Sequence, residues 1–196
     1  MNQPSFNQLS SYEKLKLSNA ICFFAKKHKE RTGKVLYQTY LYKYLAFLDK
    51  FSVEEYGQPA FNLTYMAMER GPVPLELYSE RNKLKTGFFE FKEDFDSKFE
   101  NNFQVITYEK PDLDLFTDFE LSVMNRLIMK YANDYATTNI ISEDSHREIK
   151  SWERAYSEKI NSIMDYRNEL AIVSGTPTIQ QESLSFSKAF NDYFRE

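Results

Sequence analysis

Between Tyr37 and Phe51 the chain reads YQTYLYKYLAFLDKF, and Tyr37, Tyr40, Leu41, Tyr44, Leu45, Leu48 and Phe51 recur at steps of three and four residues. Only an α-helix brings such positions onto one face, and a face this apolar must be buried. The stripe ends near Tyr56-Gly57-Gln58-Pro59, where Gly57 can adopt the left-handed cap and Pro59 cannot continue a helix. An earlier amphipathic helix is expected from about Tyr12 to Arg31, with Leu17, Ile21, Phe24, Ala25 and His28 facing inward and Gly33 as its stop. The 17 Phe and 14 Tyr, against a single Trp, supply the large rings that such a core needs. At 196 residues the length suits one domain.

The segment YMAMERGPVPLELY, residues 65–78, places Gly71-Pro72-Val73-Pro74 in the middle of this helical region. Phe61, Tyr65 and Met68 are spaced by four and three residues, which predicts a short helix before Gly71, with a strand as the alternative. Gly71 can take positive φ, and either Pro72 or Pro74 can open a new helix, where a missing N–H is harmless. That helix would carry Leu75, Leu77, Tyr78 and Leu84 inward, so the expected order is helix, sharp corner, helix. From Gly87 to Lys110 the period changes to two, with Phe89 and Phe91 and then Phe103, Val105 and Thr107, which predicts a β-hairpin.

Thr117-Asp118-Phe119-Glu120 is a capping box for a helix through Leu121, Met124, Leu127, Ile128 and Tyr131. Ser145-His146-Arg147-Glu148 repeats the pattern and would open a helix carrying Ile149, Trp152 and Tyr156. A turn from Ser174 to Pro177 precedes a weakly amphipathic terminal helix. The expected fold class is therefore mainly α with a small β-hairpin (α+β). It would be a compact helical domain over 35–156, with an added N-terminal helix over 1–34 packed on or extending the core and a C-terminal helical extension over 157–196.

A net charge of −4 gives the whole chain no basic footprint for nucleic acid. The run KKHKERTGK, Lys26 to Lys34, falls where a helix ends, and cations there complement the helix dipole. Cys22 is the only cysteine, so no intrachain disulfide forms, and a lone thiol fits a reducing cytoplasm. No basic start leads into an apolar leader and no 18-residue apolar run occurs, which argues for a soluble protein without a membrane partner.

Phosphate-cradling motifs are missing from a chain with five glycines, and one Cys and two His stand too far apart to predict a metal site. Cys22 lies among Ile21, Phe23 and Phe24, the setting of a buried small hydrophobe rather than a nucleophile. His146 stands among Glu143, Asp144 and Glu148, which fits either a general base or ordinary helix-start chemistry. Trp152 reads as a core anchor or as an interface residue, and the ring-rich hairpin offers one face to helices and another to a partner.

Two blocks taken together, LYKYLAFLDKFSVEEYGQPAF running into YMAMERGPVPLELY, and SEDSHREIKSWERA from Ser142 to Ala155, resemble the Panacea domain, the SocA-like antitoxin domain family. The matching positions are Gly57 and Pro59 for a G-x-P, then Ala67, Gly71, Pro72, Val73 and Pro74, with Tyr78 just beyond, and His146, Glu148 and Trp152 for the late block. The resemblance spans about residues 35 to 156, and the tract before it and the last forty or so residues carry no family pattern.

What the resemblance implies is an antitoxin, often encoded in prophage or mobile regions, that binds and neutralises a cognate protein toxin from a neighbouring gene. The motif would form a scaffold, with recognition on less patterned surfaces. It also implies an alternative, an adaptor that delivers a partner to a cellular protease. The family brings no enzymatic chemistry, so no catalytic, cofactor-binding or metal residue is assigned. A small hydrolase or transferase centred on His146 is the competing reading from a different class.

Overall fold

The computed structural model describes residues 4–97, 101–170 and 178–194, the last eight of these as backbone only. Helix α1, Ser11–Thr32, opens on a capping box in which the Ser10 hydroxyl accepts from Glu13 N and the Glu13 carboxylate accepts from Ser10 N. It stops at Gly33 with φ +70°. Helix α2, Gln38–Tyr56, stops likewise at Gly57, φ +71°. The stripe foreseen for α2 understates its burial. Every residue from Leu41 to Lys50 is buried, because α2 is the axis of the fold and is surrounded on all sides.

The segment 65–74 departs from the helix, corner, helix expectation. It forms an antiparallel hairpin of β1, Tyr65–Met68, and β2, Gly71–Pro74, with Tyr65 opposite Pro74 and Met68 opposite Gly71. The physical reason lies in the two-residue spacing of the prolines. Leu75 N donates to Thr64 O, so the positions that face β1 are 71, 73 and 75, and Pro72 and Pro74 point their nitrogens away from the ladder. Neither proline therefore loses a strand bond. Gly71 at φ +100° makes the turn. Only one helical turn follows, α3, Leu75–Tyr78, and Leu84 lies beyond it, just after a turn, although Leu75, Leu77 and Leu84 are buried as expected.

The chain after the late helices returns to this hairpin. Asn161 N donates to Ala67 O (2.9 Å), Ala67 N to Ser162 O (2.8 Å) and Met164 N to Tyr65 O (2.9 Å), so residues 161–164 lie along β1 as a third strand. The second hairpin matches expectation: β3, Phe89–Glu93, pairs with β4, Phe103–Thr107, and buries Phe89, Phe91, Phe103 and Val105. The fold is mainly helical with small antiparallel β elements, two where the sequence pointed to one.

Helix α4, Asp118–Tyr131, begins at the predicted box, with Thr117 Oγ1 accepting from Glu120 N and Glu120 accepting from Thr117 N. The second predicted box is a correction. Helix α5, Thr138–Glu148, is already capped by Thr137, so Ser145 to Glu148 form its last turn rather than the first turn of a new helix. Helix α6, Lys150–Glu158, is capped instead from a distance: the buried Glu169 carboxylate accepts from Lys150 N (3.2 Å) and Ser151 N (2.7 Å). The predicted turn from Ser174 to Pro177 falls outside the described residues. Helix α7, Ile179–Phe194, meets α2, and Gln180 backs onto Gly57.

Candidate functional site: the proline hairpin and its clamp

The β1–β2 hairpin is held from three sides. From α2, Lys43 is 1% exposed and its Nζ donates to the Pro72 carbonyl oxygen at 3.1 Å. From α5, Ser145 closes on the turn: a Cβ added to Gly71 would lie 2.5 Å from Ser145 Oγ and 2.8 Å from Lys43 Cε. From α6, Trp152 Nε1 donates to the Met68 carbonyl oxygen at 3.0 Å. Gly71 is thus needed twice, for its positive φ and for the space that Lys43 and Ser145 fill.

Burial pushes the Lys43 ammonium down to about 7, with Arg70 adding repulsion. Trp152 is sandwiched, its ring centroid 3.8 Å from His146 and 4.7 Å from Tyr156, both nearly parallel. His146 is held below its ordinary range by burial first and by Lys43 second, against the pull of Glu143. Its Nε2 is buried and has no hydrogen-bond partner among the described residues. A neutral imidazole stacked on indole suits this place better than a cation beside Lys43.

Two of the three carboxylates near His146 in sequence, Asp144 and Glu148, turn elsewhere. Asp144 accepts from Tyr131 Oη (2.7 Å) and pairs with Lys130 (2.9 Å) and Arg147, and Glu148 pairs with Lys130 at 3.0 Å. Cys22 is fully buried, 3.6 Å from the Phe88 carbonyl oxygen, and burial pushes its thiol up to about 11.

The structure brings Ala67, Gly71, Pro72, Val73, Pro74, His146 and Trp152 together around one hairpin. Gly57 and Pro59 stand apart after α2, where the close approach of Gln180 leaves Gly57 no room for a side chain. Tyr78 packs edge-on to Tyr42 and lies under the Arg81 guanidinium at 4.0 Å.

A comparison with protein-family models matches residues 41–153, more than half of the chain, to the family described as Antitoxin SocA-like, Panacea domain. The chain belongs to the SocA-like Panacea family. Comparisons with curated proteins and with solved structures return no match. Membership supports a general antitoxin role, a non-enzymatic one, and a protein partner such as a toxin. Among the described residues no helix is long and apolar enough to cross a membrane, and no group of three or more His, Cys, Asp or Glu could hold a metal ion.

Within the Panacea segment, sequence reasoning missed Lys43, Asp49 and Ser145. Asp49 is fully buried: its Oδ1 accepts from Phe61 N and its Oδ2 from Tyr65 Oη, both at 2.9 Å, which fixes the loop after α2 to the start of β1. Burial raises its carboxyl to about 7 despite those bonds. One signal for Lys43 and Asp49 was present. A helix apolar on nearly every face leaves no solvent side for its polar residues, so those residues must be buried and paired.

Proposed function

We propose that this Panacea-domain protein is the antitoxin of a toxin–antitoxin pair and neutralises a cognate protein toxin by holding it in a direct complex. The observation that carries the reading is the inward placement of the family motif. Pro72, Gly71 and Trp152 face Lys43, Ser145 and Met68 respectively inside the chain, the behaviour of a scaffold rather than of a reaction centre. A scaffold of this kind leaves partner recognition to its outer surfaces, in keeping with a binding function carried out in the cytoplasm.

Co-expression with the product of the neighbouring gene tests the proposal. The expected result is relief of growth inhibition together with a stable complex that purifies as one species. Persistent inhibition with no recoverable complex would reject it.

A further inference from the structure

We propose that the groove between the C-terminal half of α1 and the open edge of β4 receives an extended, acidic segment of the partner protein, which pairs with β4 as an added strand. The identity of the partner rests on the antitoxin reading; the surface itself does not.

The groove, about 420 Å³, is lined by Ala25, Lys26 and Lys29 on α1, by Leu36, and by Ile106 and Thr107 on β4. Tyr108 N donates to Phe88 O, so the alternation of the ladder turns the N–H and C=O groups of Val105 and Thr107 away from β3. This edge already accepts extended backbone: Val105 N donates to Leu36 O at 2.8 Å, and Tyr37 bridges to Gln104. The pairing then stops, and the Thr107 N–H has no hydrogen-bond partner among the described residues. An open edge beside a cleft is the geometry that strand addition uses.

Charge selects the occupant. Lys29 is exposed and makes no ion pair among the described residues, and Lys26 stands 4.0 Å from Glu30, whose other oxygen Lys27 holds at 2.8 Å. Among the described residues Lys34 pairs only with the well-exposed Asp134, at 3.8 Å. Of these cations Lys26 and Lys29 line the groove, against Glu30 and Glu109, and Lys27 from outside the lining already holds Glu30, which leaves Glu109 as the carboxylate opposing the two lysines. In an extended segment alternate side chains share a face, so carboxylates at every second position would meet Lys26 and Lys29 while the backbone bonds to Thr107. The basic run Lys26–Lys34 thereby gains a use that a chain of net charge −4 does not offer to nucleic acid.

The probe is the capped hexapeptide Glu-Val-Glu-Val-Glu-Val, with Lys-Val-Lys-Val-Lys-Val as its counterpart, titrated into the full chain with backbone amide shifts and amide exchange followed by NMR. Expected are shifts confined to Val105–Thr107 and the α1 wall, slowed exchange at Thr107, and binding of the acidic peptide at least about tenfold tighter than the basic one, lost in Lys29→Glu. No shift at 105–107, or equal binding of both peptides, overturns the proposal.

The neighbour-encoded toxin provides the second arm. Lys29→Glu and Thr107→Pro, whose lost N–H is not part of the ladder with β3, should each weaken the complex at least about tenfold with the melting temperature within about 2 °C. Wild-type affinity in both variants overturns the proposal while the antitoxin reading stands. If the wild-type chain itself fails to bind the toxin, the antitoxin reading falls and the peptide titration alone decides the surface.

Discussion

Lys43 Nζ donates a 3.1 Å hydrogen bond to the carbonyl oxygen of Pro72, and among the described residues no carboxylate forms an ion pair with it. A cation from the middle of α2 is therefore sealed against a proline-rich strand, and its environment favours the uncharged amine.

The first prediction follows from linkage. With Lys43 lowered from 10.5 to about 7, the unfolded chain holds a proton that the folded chain has released between about pH 7 and 10.5. Stability should therefore rise with pH between about 7 and 9, by at most ~1.4 kcal/mol per unit, and the penalty is complete below about pH 7. Above about pH 9, Cys22, raised by burial to about 11, works in the opposite sense, because the unfolded thiol loses its proton first. Urea unfolding across this window should show the slope in the wild-type chain, and Lys43→Met should lack it whatever its absolute stability.

Gly71 and Gly33 form a natural pair of controls. Both have positive φ, but a Cβ at Gly33 meets nothing within 4 Å, whereas at Gly71 it meets Ser145 and Lys43. Gly33→Ala should lose only ~1 kcal/mol from backbone strain, and Gly71→Ala ~3 kcal/mol or more, as read by chemical denaturation. Equal losses would mean that the clamp on the hairpin is looser than described.

Trp152, the only tryptophan, reports on His146 directly. An imidazolium face to face with indole quenches its emission. Because burial, aided by Lys43, holds His146 below 6.5, a fluorescence titration should show quenching with a midpoint below that value, and His146→Phe should abolish the transition. A midpoint at or above 6.5 would contradict the buried, neutral imidazole.

Gly57→Ala should act at a distance from the hairpin. The added Cβ collides with the backbone carbonyl of Gln180, so α7 must lift from α2. Limited proteolysis should then cut the chain near α7 at least about tenfold faster, while hydrogen exchange in α2 stays close to wild type.

The local signals were the legible ones. Thr117, Gly33 and Gly57 announce helix ends through chemistry contained within four residues, and the alternation in β3 and β4 survives because one face of that hairpin is buried. The hairpin at 65–74 was misread because Phe61, Tyr65 and Met68 imitate helical spacing. What decides its form is distant in sequence: the strand at 161–164, the Trp152 indole and the Lys43 ammonium. Ser145 was misread for a related reason. Its S-x-x-E pattern is genuine, but Thr137 caps the helix two turns earlier, and the chain leaves Ser145 to face Gly71. The motif positions were visible as a pattern, whereas their clamp was not, since a lysine and a serine on helices look like solvent-facing residues until the fold encloses them.

The strand at 161–164 has one practical consequence. It lies beyond residue 153, where the family match ends, yet it satisfies both the N–H and the C=O of Ala67. A fragment trimmed to the matched segment would carry the whole motif but present a bare, apolar strand as its outer rim. Such a piece should self-associate rather than stay monomeric, and any expression of this domain should extend through Met164 at least.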